Sequence, residues 1–349
     1  MARRNNNSAN PLDGWQFDPA ALRTIGNDLQ RPECILAERD GTLWSADARG
    51  GVMQIRADGT QQLIAQRADE RFAGSADGAE RYIFEGTLPN GLAFDRNGDF
   101  LIANFGTDAL ERMSRSGQTS TLYSEIDGEP IGKANFVLRD SRGRIWLTVT
   151  TRAKPWTRSI NEKLADGYVA LIDERGIRIA ADGFVGTNEI RMDAAEQYLY
   201  VVESNARRIS RLRVGPDGEL SQREIYGPAQ LQGIPDGFAF DAYGNLWMTY
   251  VISDQIAVLT PDGEERIVFA DADPAKVRVF DEHFFAGTVT PEIMMATHGT
   301  VAPWTASLTF GGADLRTLYI GSLRGTNIPY FQSPVPGLPM IHWQERYSS

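Results

Sequence analysis

A single cysteine, Cys34, leaves no partner for an internal disulfide. Lysine is almost as scarce. Lys133, Lys154, Lys163 and Lys276 are the whole complement in 349 residues, and arginine carries the rest of the positive charge. The formal net charge is −11, which argues against nucleic acid and against an anionic membrane surface as partners. No apolar run approaches the roughly 20 residues that a membrane span needs. Arg3 and Arg4 stand near the start, but no apolar segment follows them. A secretory leader is therefore not expected, and the cytoplasm is the expected compartment. Residues 1–14, rich in Asn, Arg and Ser, read as a disordered tail, and 15–349 as one domain.

What the chain does have is a repeat. A polar residue, a short apolar run, a tight turn and an aromatic-ended strand recur six times. The phrases are Glu33–Trp44, Asn90–Leu101, Asn135–Trp146, Asn188–Tyr200, Asp236–Trp247 and Ala306–Tyr319. Each continues into a second pair of alternating runs separated by turns such as Asp58-Gly59 and Asp262-Gly263. Short alternating runs joined by such turns read as antiparallel hairpins. Four strands per unit, recurring at this spacing, match propeller blades. The expected architecture is all-β, a six-bladed β-propeller with four-stranded antiparallel blades. Residues 15–30 should supply the outer strand that closes the ring, and 334–343 the last strands. Trp44, Trp146 and Trp247 recur at one blade position and read as packing between blades. Cys34 reads as a buried small apolar residue.

The glycine turns lie on one face of such a ring. The long connections 66–89, 150–166 and 271–304 lie on the other, and long loops on a rigid scaffold are where binding residues concentrate. The first residue of each phrase sits on that second face, beside the central channel. Pseudo-symmetry gathers Glu33, Asn90, Asn135, Asn188, Asp236 and Ala306 around the axis. One Asn or Asp before a strand is an ordinary turn residue. Five oxygen-bearing side chains at equivalent positions, two of them carboxylates, suit one hard divalent cation, Ca²⁺ most naturally, with Zn²⁺, Mn²⁺ or Mg²⁺ as alternatives.

Arg31-Pro-Glu-Cys, Gly233-Ile-Pro-Asp-Gly-Phe and Phe310-Gly-Gly-Ala-Asp-Leu-Arg-Thr-Leu-Tyr carry a resemblance. From about Arg31 to Pro339 the chain resembles the gluconolactonase family. That family includes senescence marker protein 30 (regucalcin), bacterial sugar lactonases and squid-type diisopropylfluorophosphatase. The resemblance implies a six-bladed propeller with one catalytic divalent cation, held here by Glu33, Asn135, Asn188 and Asp236. Asn90 is not required as a direct ligand and is kept as a supporting or substrate contact. The chain departs from the common family pattern at Phe136 and Glu189. The first adds an aromatic wall and suggests a more apolar ligand than gluconolactone. Strand alternation turns the second into a blade interface.

The implied chemistry is hydrolysis of a lactone, with the carbonyl polarised by the cation and attacked by an activated water. Asp236 is the first candidate for the base, and His298, in the connection before the last phrase, the second. The 150–166 connection should fold over the channel mouth as a lid, with Arg152 and Trp156 toward substrate. Phe105, Tyr250 and Arg324 occupy comparable places and are expected to line the pocket. The expected partner is a small-molecule lactone or ester, and self-association into a homo-oligomer is left open. Three other readings compete: a phosphotriesterase- or arylesterase-like hydrolase on the same cation, a non-catalytic binding scaffold, and a strictosidine-synthase-like propeller, against which the full oxygen cluster speaks. A pure scaffold has no reason to align Glu33 with Asp236.

Overall fold

The computed structural model describes residues 10–67, 86–345 and 347. Most of the tail expected over 1–14, and the central part of the 66–89 connection, lie outside these residues. Six four-stranded antiparallel sheets form the body. In chain order their innermost strands are Ile35–Ala37, Pro89–Phe94, Ala134–Arg139, Thr187–Met192, Pro235–Phe240 and Thr305–Gly311. We call the six sheets blades one to six. Each innermost strand packs against its neighbours in the adjacent blades, and that of blade six packs against blade one. The result is a closed ring, a six-bladed β-propeller.

Blade six is assembled from both ends of the chain. Thr305–Gly311, Thr317–Ser322 and Ile328–Gln332 come from the C-terminal part, and Arg23–Ile25 adds the outer edge, with Arg23 opposite Tyr330 and Ile25 opposite Ile328. The 15–30 segment thus closes the ring with backbone hydrogen bonds and covers the outer edge of Ile328–Gln332.

The tryptophans pack between blades as their recurrence suggested. Each indole also finds an acceptor six residues upstream, at the end of the same blade's innermost strand. Trp44 Nε1 donates to Glu38, Trp146 to Asp140 and Trp247 to Asp241. A large apolar side chain is buried without an orphaned N–H.

Two expectations fail in the described residues. Asn10–Gly14 is not a loose tail: Leu12 is buried in the core beside Trp247, and Asn10 Nδ2 donates to Asn245 Oδ1 at 2.7 Å. Residues 334–343 add no strands. They run as a strap across the face opposite the long connections. Leu338 N donates to Phe240 O at 2.8 Å, His342 Nε2 bonds Ala37 O at 2.9 Å, and Glu345 pairs with Arg139. Apolar residues of the strap, Val335, Leu338 and Met340, pack onto the core clusters of the blades instead.

Candidate active site

The innermost strands of blades two to six each carry a register irregularity at their first residues. A bulge re-aims the side chain that it carries. Here the bulged residues include Asn90, Asn135, Asn188 and Asp236. In blades three and five the backbone amide displaced by the bulge is taken up by a threonine of the next strand. Phe136 N donates to Thr148 Oγ1 at 2.9 Å, and Gly237 N to Thr249 Oγ1 at 3.1 Å. Gly237 has a packing reason. A Cβ there would lie 2.5 Å from Ala306 O and 2.6 Å from Glu189 Oε1.

The outcome is one cavity at the channel mouth. Glu33, Asn90, Asn135, Asn188 and Asp236 all line it. The sixth position, Ala306, presents no oxygen. Glu33 Oε2, Asn135 Oδ1 and Asn188 Oδ1 are buried there without a hydrogen-bond partner. Their other atoms are engaged. Glu33 Oε1 accepts from Asn90 Nδ2 at 2.9 Å, and Asn188 Nδ2 donates to Ser204 Oγ at 3.1 Å. Asn90 is held from three sides, because its amide also donates to Asn135 O and its oxygen accepts from Arg31 Nη2 at 2.6 Å. Asn90 therefore orients Glu33, and its own oxygen is already pulled toward Arg31.

Among the described residues no three His, Cys, Asp or Glu side chains converge on a metal site. The donor set at the mouth is instead two carboxylates and two amide oxygens. That set suits a hard cation that prefers oxygen, Ca²⁺ or Mg²⁺ ahead of softer ions. Buried unpartnered oxygens are costly, and three of them facing one cavity fit a bound cation.

Burial pushes Glu33 well above the usual carboxylate range, with Arg31 acting the other way. Burial also pushes Asp236 up to about 8, helped by the charge of Glu189 and opposed by Arg31 and a hydrogen bond from Asn188. Arg31 is the site residue that sequence reasoning did not single out. Its guanidinium lines the cavity, donates to Pro89 O at 3.2 Å and to Asn90, and is itself lowered by burial. Its backbone sits at φ 58°, a left-handed conformation with no signature in the sequence.

Phe105 and Trp156 line the cavity and meet edge to face at 5.3 Å. The 150–166 connection does reach over the mouth: Trp156, Ser159 and Ile160 face the cavity. Four other expected contacts do not line it. Phe136 is buried below the mouth, with the Arg191 guanidinium 4.4 Å above its ring. The bulge that aims Asn135 at the axis turns the next side chain between blades. Tyr250 is fully buried and donates to Glu265 Oε1 at 2.5 Å. Arg152 lies outside, its guanidinium 4.8 Å from the Tyr168 ring centre. Arg324 covers Trp304 and donates to Met295 O at 3.1 Å.

His298 is exposed, bonds the carbonyl of Gly299 and is not among the cavity's lining residues. Glu189 lies in the interface between blades four and five, paired with Arg191 at 2.8 Å and accepting from Phe238 N. Cys34 is buried, and burial pushes its thiol up.

Two helices within 271–304 complete the cover: α1 (Pro274–Ala286) and α2 (Pro291–Ala296). Asp273 caps α1 by accepting from Ala275 N, and Gly287 closes it at φ 71°. Thr290 caps α2 by accepting from Ile293 N. Phe280 from α1, Met294 from α2 and Trp304 beyond them line the cavity. Together with Ile234, Ile252 and Phe284 they form an apolar cluster of their own over the mouth.

Over residues 31–277 the chain matches the SMP-30/gluconolactonase/LRE-like region. It belongs to that family. An uncharacterized protein of Sulfolobus acidocaldarius is 27% identical over 207 residues, 58% of this chain and 62% of that protein. The 6-deoxy-6-sulfogluconolactonase of Pseudomonas putida is 24% identical over 234 residues, 65% of this chain and 66% of that protein. The chain thus spans somewhat under two thirds of the length of these relatives. A calcium-binding protein, regucalcin, from Agrobacterium tumefaciens superposes with a TM-score of 0.63 at 14% identity, covering 91% of this chain and 96% of that one. At that identity the likeness establishes a shared fold. Among the described residues no helix is long and apolar enough to cross a membrane.

Proposed function

We propose that this protein is a divalent-cation-dependent hydrolase that opens a lactone ring at the channel mouth. The observation that carries the reading is the set of unpartnered oxygens, Glu33 Oε2, Asn135 Oδ1 and Asn188 Oδ1, facing one cavity with Asp236. Family membership supports it, as does the lactonase activity of the Pseudomonas putida relative. The name of the Agrobacterium tumefaciens protein favours calcium.

Glu33, Asn135, Asn188 and Asp236 would hold the cation. A cation there supplies a Lewis acid for the ester carbonyl and a positive charge for the oxyanion that develops. The remaining chemistry falls to the chain. Arg31 fixes Asn90, and Asn90 fixes Glu33, so the ligand geometry is set before substrate arrives. Trp156, Phe280, Met294 and Trp304 exclude bulk water, which strengthens every charge interaction inside. Asp236 accepts a proton from the attacking water. The water oxygen bonds to the carbonyl carbon, the ring C–O bond breaks, and the proton passes to the departing ring oxygen. The product is an open-chain hydroxy acid.

Calorimetric titration of chelator-treated protein with Ca²⁺, Mg²⁺, Mn²⁺ and Zn²⁺, with a lactone assay at each addition, tests the proposal. Saturable binding at one site, with hydrolysis rising in parallel, is expected. Full activity after complete cation removal would overturn it.

A further inference from the structure

The roof of the cavity says what class of lactone fits beneath it. This inference rests on the hydrolase reading of the site and goes one step further. Above the oxygen ring the walls are apolar: Phe105, Trp156, Ile252, Phe280, Met294 and Trp304. The cavity has a volume of about 140 Å³, close to a cavity of about 150 Å³ that holds benzene. One ring fits, with small substituents.

Most of the other polar side chains on the same walls already donate to protein carbonyls. Thr150 Oγ1 donates to Thr187 O at 2.8 Å, and Ser159 Oγ to Trp156 O at 2.7 Å. Ser204 Oγ donates to Pro235 O at 2.6 Å, and Asn205 Nδ2 to Ser159 O at 2.8 Å. Arg31 Nη1 donates to Pro89 O and Nη2 to Asn90 Oδ1, while Nε is buried without a partner. A sugar lactone would bring several hydroxyls into this space. Each would lose its water beneath a roof whose side chains are aromatic or aliphatic. An apolar lactone loses nothing polar except at the ester, and the ester is what the oxygen ring and its cation address.

From these walls we infer that the site takes small monocyclic lactones with an aliphatic or aromatic body, and discriminates against polyhydroxylated sugar lactones. A pocket that merely lacks a hydroxyl partner discriminates by roughly 10²-fold for a single added hydroxyl. A preference of at least about 100-fold in kcat/KM is therefore expected for a six-membered lactone with a methyl substituent over glucono-1,5-lactone. The substitution Met294→Gln supplies an amide within the roof and should narrow that preference.

The test uses the full chain loaded with Ca²⁺. Hydrolysis of δ-hexanolactone and of glucono-1,5-lactone is followed by proton release and corrected for the spontaneous rate. In parallel, the non-hydrolysed lactam analogues of both are titrated against tryptophan fluorescence, which Trp156 and Trp304 report. Faster turnover of δ-hexanolactone with tighter binding of its lactam supports the inference. Equal or faster turnover of the sugar lactone overturns it and leaves the hydrolase reading standing. If neither lactone is hydrolysed but the methyl lactam binds at least tenfold more tightly, the hydrolase reading falls and the apolar ligand class stands. If neither is hydrolysed and the sugar lactam binds as well, or neither lactam binds, the inference falls too.

Discussion

Asn90 donates its amide to Glu33 Oε1 at 2.9 Å, and in doing so leaves Glu33 Oε2 alone toward the cavity. One residue of blade two thus selects which oxygen of the blade-one carboxylate faces the axis. Arg31 closes the chain of contacts by donating to Asn90 Oδ1 at 2.6 Å. The first prediction follows from this relay. Asn90→Ala leaves every proposed ligand in place but frees Glu33 to rotate. Partners that orient metal ligands contribute about 10- to 100-fold in affinity. A loss of that size for Ca²⁺, measured by calorimetry, is expected. Unchanged affinity would remove Asn90 from the site's support.

Asp236 and His298 differ in placement, because only Asp236 lines the cavity. Asp236→Asn keeps the size of the side chain and removes its capacity to take a proton. General-base removal costs about 10²- to 10⁴-fold, so a fall in kcat within that range is expected at saturating cation. His298→Ala should change kcat less than about twofold, since its ring is exposed and bonded to the neighbouring carbonyl. Steady-state kinetics on both variants decide the assignment, and the reverse ranking would restore His298.

The ring and the converging oxygens were legible in the sequence because each depends on a short local pattern repeated six times. Period-two alternation and Asp-Gly turns fix the blades, and pseudo-symmetry does the rest. The paired acids Glu38, Asp140 and Asp241 recur just as regularly and mark the indole partners. Side-chain direction was less legible. Phe136 and Tyr250 look like pocket residues by position, but the bulge beside Asn135 and the strand pairing at Tyr250 turn them inward. Arg31 stands in the Arg31-Pro-Glu-Cys motif, but nothing there marks it as a cavity residue, since its place depends on a left-handed backbone ahead of Pro32. The lid helices stand in a connection that a repeat-based reading leaves as loop, although Asp273-Pro274 and Thr290-Pro291 are both N-terminal helix signals.

The lid is tied to blade five by two carboxylates. Asp254 accepts from Gly299 N and, at 2.9 Å, from Thr305 N. Asp271 accepts from Thr300 N and, at 2.7 Å, from Val301 N. Asp254 is fully buried, so Asp254→Ala orphans two amides. The expected destabilisation is roughly 3 kcal/mol, read by denaturant unfolding. Amide exchange across 297–305 should accelerate more than exchange in blades one to three. A uniform acceleration over the whole ring would mean that the two carboxylates do not serve the lid in particular.

The strap on the opposite face titrates through His342. Its imidazole is buried, bonds Ala37 O at 2.9 Å and meets Phe94 edge to face at 5.1 Å. Burial lowers its pKa from 6.5, with Arg139 adding to the effect and Ala37 O, Glu38 and Glu345 opposing it. In the unfolded chain the ring takes its proton near 6.5. The folded protein takes it only at lower pH. Between those two values the unfolded state binds more protons, so stability rises with pH and the contribution is complete above about pH 7. It is lost as pH falls from about 6.5 through the lower folded value. The midpoint of thermal unfolding should therefore drop between pH 7 and pH 5.5, and His342→Gln should flatten that part of the profile. Other acids add their own slopes, so the difference between the two proteins is the quantity to read. Parallel profiles would show that His342 is not the group that weakens the strap in acid.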